Sequence, residues 1–259
     1  MIDRGVLPSG IEAFGTATAA ALILGVYLVA AEPFVGMVLH RRFESAPRRW
    51  HGARLWLYRR LLLLEWGLAA LCVATVVLAP SVGLASIGLR LPDGALGWGI
   101  SLAAIAGALL ALVLTARQIA SAPDDLVLPP ASPSLVAMLP RTPVERRLFG
   151  LVSITAGVCE EIAYRGFLTA LVAALLPVAP VWVCAVIAAV AFGFAHLYQG
   201  TVGLVGTLLV GLVLAGLYVV SGSLLAPIVV HALIDLRAIP LGRIVAREAQ
   251  KGRDDGRGD

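Results

Sequence analysis

Apolar and polar positions alternate along this chain on the scale of a membrane span. Runs of about 20 mostly apolar residues, the length that crosses a hydrocarbon core as a helix, recur between short breaks of charge, proline or glycine. Seven runs stand out: about Ala17–Leu39, with Glu32-Pro33 as an expected kink; Leu61–Leu78, stopped by Pro80; Leu96–Ala116; Val152–Leu176; Val181–Leu197; Val202–Val220; and a short Leu224–Leu236. Lipid offers no partner to an unpaired backbone group, so spans of this kind are helical. The predicted fold class is all-α, a polytopic membrane helical bundle of about seven transmembrane helices.

Composition excludes the alternatives. The 259 residues are 59% hydrophobic and 14% charged, whereas a soluble domain is about 45–50% apolar and about 25% charged. Disorder is excluded as well, because so apolar a chain has ample surface to bury. The net charge of +4 comes from arginines placed between apolar runs, not gathered on one polar face, which argues against a nucleic-acid partner. Their placement speaks instead to topology. Arg41, Arg42, Arg48, Arg49, Arg54, Arg59 and Arg60 crowd the loop 40–60, and Arg117, Arg141, Arg146 and Arg147 follow the third run. Arg243, Arg247, Lys251, Arg253 and Arg257 follow the last run, against only Arg4 and Arg90 on the other side. The positive-inside rule puts these basic segments in the cytoplasm. The expectation is a multi-pass protein of the cell's inner (cytoplasmic) membrane, N-terminus outside and C-terminus cytoplasmic, with the lipid bilayer as its first partner.

The opening MIDRGVLPSG has an acid and a proline where a signal peptide has a basic region. Cys72, Cys159 and Cys184 lie in apolar stretches with no framework spacing, which disfavours disulfides and thiolate zinc sites. Phe43–Arg60, with Trp50, Trp56 and Tyr58 among arginines, reads equally well as an interfacial helix or as a plain loop with aromatic anchors. The expected division is a three-span region with a basic cytoplasmic loop (1–120), a Pro-rich cytoplasmic connector (121–147) whose residues 121–143 are too interrupted for a helix, a four-span core (148–240) and a polar cytoplasmic tail (241–259) whose last nine residues, 251–259, fray.

Ionisable residues at a helix centre in the bilayer cost roughly 2.5–3.5 kcal/mol or more, so each is a functional candidate. They concentrate in the second half: Cys159-Glu160-Glu161-Ile162-Ala163-Tyr164-Arg165 in the fourth run, Phe192-Gly193-Phe194-Ala195-His196 at the end of the fifth, and His231-Ala232-Leu233-Ile234-Asp235 in the seventh. Glu161 and Arg165 have the i, i+4 spacing and order of a favourable helical pair. Glu160 points elsewhere with Tyr164 as its i+4 neighbour, which suggests a division of labour: Glu161 and Arg165 for structure, Glu160 for chemistry. His231 and Asp235 share one helix face at the same spacing. His40 and His51, in the basic loop, read as solvated. Gly203, Thr207, Gly211 and Ala215 form a small-residue stripe that permits close helix packing, and Gly166 and Gly193 allow close approach beside the motifs.

The E-E-x-x-x-R of Glu160, Glu161 and Arg165, the F-x-x-x-H of Phe192 and His196 and the H-x-x-x-D of His231 and Asp235 resemble, in order and placement, the CPBP family of intramembrane proteases. That family includes the type II CAAX prenyl endopeptidases and bacteriocin-processing, Abi-type proteins. The resemblance covers roughly residues 141–239; Ile87-Gly88-Leu89-Arg90 is similar to a looser family feature, and the first two runs carry no such signal. It implies a catalytic core in the last four spans and hydrolysis of a peptide bond in a membrane-associated protein or peptide. Glu160 would activate water, His196 would orient it or bind a metal, and His231 with Asp235 would stabilise the oxyanion or complete a metal site. Glu161, Arg165 and Phe192 would support them.

Zinc stays open as a cofactor. His196, His231 and Glu160 offer a possible donor set with one open position, yet H-E-x-x-H is missing and a metal-free route uses the same residues. Asp235 sharpens the question, because an ionised carboxylate cannot donate to an oxyanion whereas an amide can. Two other classes compete with an enzyme: a non-catalytic immunity or scaffold protein that retains the polar network, and a proton-coupled transporter, disfavoured by the scarcity of polar groups elsewhere.

Overall fold

A computed structural model describes residues 2–46, 52–123 and 133–255. Arg48, Arg49, Trp50 and His51 of the basic loop, connector residues 124–132 and Arg257 lie outside them. The described residues form helices and turns without a strand: α1 (Thr18–Val26), α2 (Glu32–Glu44), α3 (Ala53–Leu78), α4 (Gly94–Ala120), α5 (Pro133–Met138), α6 (Pro143–Glu160), α7 (Thr169–Leu175), α8 (Val181–Ala195), α9 (Gly200–Ser221), α10 (Leu225–Leu236) and α11 (Ala238–Asp255).

Among the described residues four helical stretches are long and apolar enough to cross a membrane: Arg4–Glu44, Ala53–Leu78, Gly94–Ala120 and Leu197–Ser221. The other three expected spans are helical but differ from a plain apolar rod. Pro143–Leu175 is continuous through α6, a wide π turn at Glu161–Leu168 and α7, but it carries the charged motif. α8 is shorter, and α10 has 12 residues, about 18 Å at the helical rise, less than the thickness of a hydrocarbon core. Leu63, Val77, Leu96, Val202 and Val213 point outward and exposed, as lipid-facing side chains do.

Local chemistry explains the element ends. α6 starts nine residues before the predicted span because Thr142 accepts from Glu145 N at 3.2 Å while Glu145 Oε2 accepts from Thr142 N at 3.0 Å. This is a capping box, with Pro143 in the first turn. At Glu32-Pro33, where a kink is expected, the helix departs from regular α geometry without ending. A π turn over Tyr27–Ala31 carries the helix into Pro33, whose missing N–H and bulky ring would clash with a regular α-turn before it. α9 ends at Gly222, where a φ of 72° favours glycine. The segment 43–60 is no separate interfacial helix: its described residues divide between the end of α2 and the start of α3. The connector, expected to be free of helix over 121–143, contains α5, and the tail is helical as α11 as far as Asp255, with Ile244 and Val245 buried; of the last nine residues, expected to fray, 251–255 continue that helix and 256–259 lie outside the described residues.

The N-terminal segment closes one end of the bundle. Ile2 N donates to Val219 O at 2.7 Å, and Arg4 Nη2 donates to Ala173 O at 2.7 Å, satisfying a carbonyl at the end of α7. Phe14 packs edge-on to Phe167 with centroids 6.5 Å apart. Both rings are fully buried in a core shared with Leu28, Cys72, Tyr164 and Phe192. The first helices and the motif-bearing helices therefore share one core and are not independent lobes.

Candidate active site

The close approach of α6 to α10 begins at a residue without a side chain. A Cβ on Gly157 would lie 2.8 Å from Ile228 O and 2.9 Å from Ala232 N, so glycine lets the two backbones touch, one turn before the paired glutamates. Gly166 has the same role against Ile87 O, and Gly193 against Leu208. Gly211, on the small-residue stripe of α9, leaves space for Arg165, whose Nη2 donates to Gly211 O at 3.3 Å. Gly211 and Ala215 of the stripe thus pack closely, Ala215 against Ala185 and Ala189, while Gly203 and Thr207 line the cavity described below.

Within this packing the predicted residues converge. Arg165 Nη1 lies 2.9 Å from Glu161 Oε1, both side chains essentially inaccessible. The same Glu161 oxygen lies 2.7 Å from His231 Nδ1, a contact the sequence reading lacked. It makes Nδ1 the donor and leaves Nε2 facing the site. Nε2 is 3.7 Å from Glu160 Oε2 and 3.8 Å from Asp235 Oδ2. Glu161 therefore pairs with Arg165 as expected, and it also orients the histidine.

His196 enters through Phe192. Its Nδ1 is 3.0 Å from Phe192 O, so the proton belongs on Nδ1 and Nε2 is available as an acceptor. The Phe192 ring lies 4.7 Å from His196 and 5.8 Å from His231, centroid to centroid. Phe192 thus sits between the two imidazoles.

A cavity of about 700 Å³ with a mostly apolar wall adjoins these groups. Its lining carries Glu160, His196, His231 and Asp235, together with Glu32 from α2 and Glu65 from α3. The sequence reading passed over the last two. It took Glu32 as part of a kink and found no family motif in the first two runs, although an acid inside an apolar run is the same signal that singled out Glu160. His40 also departs from expectation: it is 5% exposed, with Nε2 3.0 Å from Glu44 Oε1 and its ring 5.2 Å from that of Tyr198. The three cysteines are free and buried.

Among the described residues no group of three or more His, Cys, Asp or Glu side chains is gathered as a metal ion requires. Nδ1 of each imidazole is engaged, by Glu161 and by Phe192 O, which leaves both Nε2 atoms as the ring nitrogens a metal or a water would meet.

Residues 144–237 match the family described as Type II CAAX prenyl endopeptidase Rce1-like. The resemblance read from the motifs over 141–239 is matched on nearly the same segment. It includes Glu160, Glu161, Arg165, Phe192, His196, His231 and Asp235, and it excludes Glu32 and Glu65. No curated protein and no solved structure matches the chain.

Proposed function

We propose that the protein is an intramembrane endopeptidase that hydrolyses a peptide bond of a membrane-associated protein or peptide with water activated by Glu160. The observation that carries this reading is the His231 imidazole, held at Nδ1 by Glu161 and presenting Nε2 to Glu160 and Asp235 in a cavity within the bundle. In the proposed sequence Glu160 takes a proton from water, and the resulting hydroxide oxygen bonds to the scissile carbonyl carbon. The carbonyl oxygen becomes an oxyanion that accepts from protonated His231 Nε2. Glu160 then returns its proton to the peptide nitrogen, the C–N bond breaks, and a carboxylic acid and an amine result, which leave as carboxylate and ammonium once the acid's proton has passed to the amine. His196 Nε2 orients the water, and Asp235 holds the His231 ring in line.

Glu160 suits the role of base because it is the less tied of the two adjacent acids. Its side chain is 20% exposed, its Oε2 has no hydrogen-bond partner among the described residues, and Glu161 takes both Arg165 and His231. Removing the carboxylate at 160 is expected to lower turnover by about 10²–10⁴-fold, the range for losing a positioned base, with little change in folding. The test compares peptide termini in cells carrying wild-type protein and Glu160→Gln. A terminus lost only in the variant identifies a substrate, while identical termini at equal protein levels would sink the proposal.

A further inference from the structure

Two carboxylates in the cavity have no place in the hydrolytic scheme. Glu32 and Glu65 stand on α2 and α3, outside the segment that matches the protease family. Both line the same cavity as Glu160 and Asp235. Glu32 Oε2 and Glu65 Oε2 are each shielded from solvent, and neither has a hydrogen-bond partner among the described residues. Glu65 is within electrostatic range of Glu160, Asp235 and Glu32.

The chain's own cations are directed elsewhere. Arg165 and His231 Nδ1 are taken by Glu161, and the lining offers one further cation, the exposed Arg237. A shielded carboxylate without a partner is unfavourable in a low-dielectric cavity. Four carboxylates around one space repel an anion and attract a positive group. The rest of the wall is apolar, with Leu64, Leu68, Leu139 and Val202 among its side chains, so an occupant is apolar along its length and cationic at one point.

We propose that Glu32 and Glu65 form a cation-recognition wall that selects substrates carrying a Lys or Arg side chain, or a free α-amine, beside the scissile bond. This deepens the peptidase reading and rests on it for the word substrate. The ammonium or guanidinium donates to the shielded oxygens of Glu65 and Glu32, which fixes the peptide in the cavity that Glu160 also lines. An anionic chain end in the same place meets like charge.

Binding is measured separately from cleavage. The probes are decapeptides anchored by a C-terminal palmitoylated cysteine amide, in which Lys, acetyl-lysine, Gln or Glu is scanned through an Ala/Leu background, each with a free or an acetylated N-terminus. They are bound to purified full-length Glu160→Gln protein, which leaves them intact, and offered to wild-type protein for cleavage. At its best position a Lys peptide is expected to bind at least about tenfold tighter than its Gln and acetyl-lysine counterparts, as one or two charge-assisted hydrogen bonds imply. Adding Glu65→Gln or Glu32→Gln is expected to erase most of that difference while leaving the unfolding midpoint in detergent unchanged, since the Oε2 of each acid has no partner to lose and an amide at 32 can still accept from the Tyr27 hydroxyl. A preference that follows the free N-terminus assigns the α-amine as the cation; one that follows Lys assigns the side chain. Equal binding of Lys and Gln peptides overturns the inference, as does a Lys preference untouched in both Gln variants. Cation-selective binding without cleavage by wild type would leave the wall standing and remove the peptidase reading, whereas cleavage indifferent to charge would do the reverse.

Discussion

The guanidinium of Arg165 lies over the ring of Phe192, 4.0 Å from its centroid, while its Nη1 holds Glu161 at 2.9 Å. One side chain thereby joins the two halves of the site: the glutamates of the π turn and the aromatic ring that separates the histidines. Replacing Arg165 by Ala leaves Glu161 buried without its cation, a loss on the order of 3–5 kcal/mol, and the expected result is poor expression and early unfolding in detergent. Arg165→Lys is expected to rescue little, because an ammonium offers neither the planar fork nor the stacked face. Near-wild-type stability of the Lys variant would contradict this use of the ring.

Glu161 has a second partner in His231, so its removal is expected to reach the chemistry as well as the fold. Glu161→Gln retains an acceptor for His231 Nδ1 but leaves Arg165 without a countercharge. Turnover should fall by about 10²-fold or more even in the fraction of protein that remains folded, on the scale of disabling an acid–base group. Activity normalised to folded protein, measured beside Glu160→Gln, decides it. Full specific activity with reduced stability would restrict Glu161 to a structural role.

Topology is open to chemical labelling, because the native cysteines are buried. Ser81 and Ser45 are both exposed, near opposite ends of α3. With the arginines of the loop 40–60 facing the cytoplasm, an impermeant thiol reagent added to intact cells should modify Ser81→Cys and spare Ser45→Cys until the cells are opened. The reverse pattern would invert the map.

Asp235 bears on the metal question. Its Oδ2 is 3.8 Å from His231 Nε2, near enough to steady the ring. If the route is metal-free, Asp235→Asn should keep most of its activity, since an amide can hold the same position and donate toward an oxyanion, and chelators should leave wild type unaffected. Stoichiometric zinc in purified protein, lost in Asp235→Asn together with activity, would overturn this account.

The spans were legible in the sequence because lipid imposes a simple rule of length and polarity, and α4 and α9 fall close to where that rule put them, while α3 ends as expected at Leu78 but begins earlier, at Ala53. The i, i+4 pairs were legible for a similar reason: spacing within one helix puts Glu161 beside Arg165 and His231 near Asp235. Contacts between helices were not. The Glu161–His231 bond joins residues 70 positions apart, and no periodicity encodes which face of α10 meets α6. Glu32 and Glu65 carried a readable signal that was overshadowed by the denser cluster downstream. Ends set by local capping, such as the start of α6 at Pro143, slipped because Arg146 and Arg147 argued for water where the capping box argued for helix.

Both wide π turns adjoin a carboxylate of the cavity: Tyr27–Ala31 ends at Glu32, and Glu161–Leu168 begins after Glu160. A turn closed from i to i+5 holds one residue more than an α-turn, so each acts as an insertion that the helix absorbs without breaking. Everything beyond it is rotated relative to an unbroken α-helix of the same sequence, by about the 100° that one residue spans. The direction in which Arg165 and Phe167 point is therefore a matter of residue count as much as of residue identity. Exchanging Ala163 for another small residue would preserve that count, and deleting it would let the turn relax to α with the segments on either side still in register, whereas a deletion in the regular part of α6 has no surplus residue to give up and would swing the acidic motif out of phase with what precedes it.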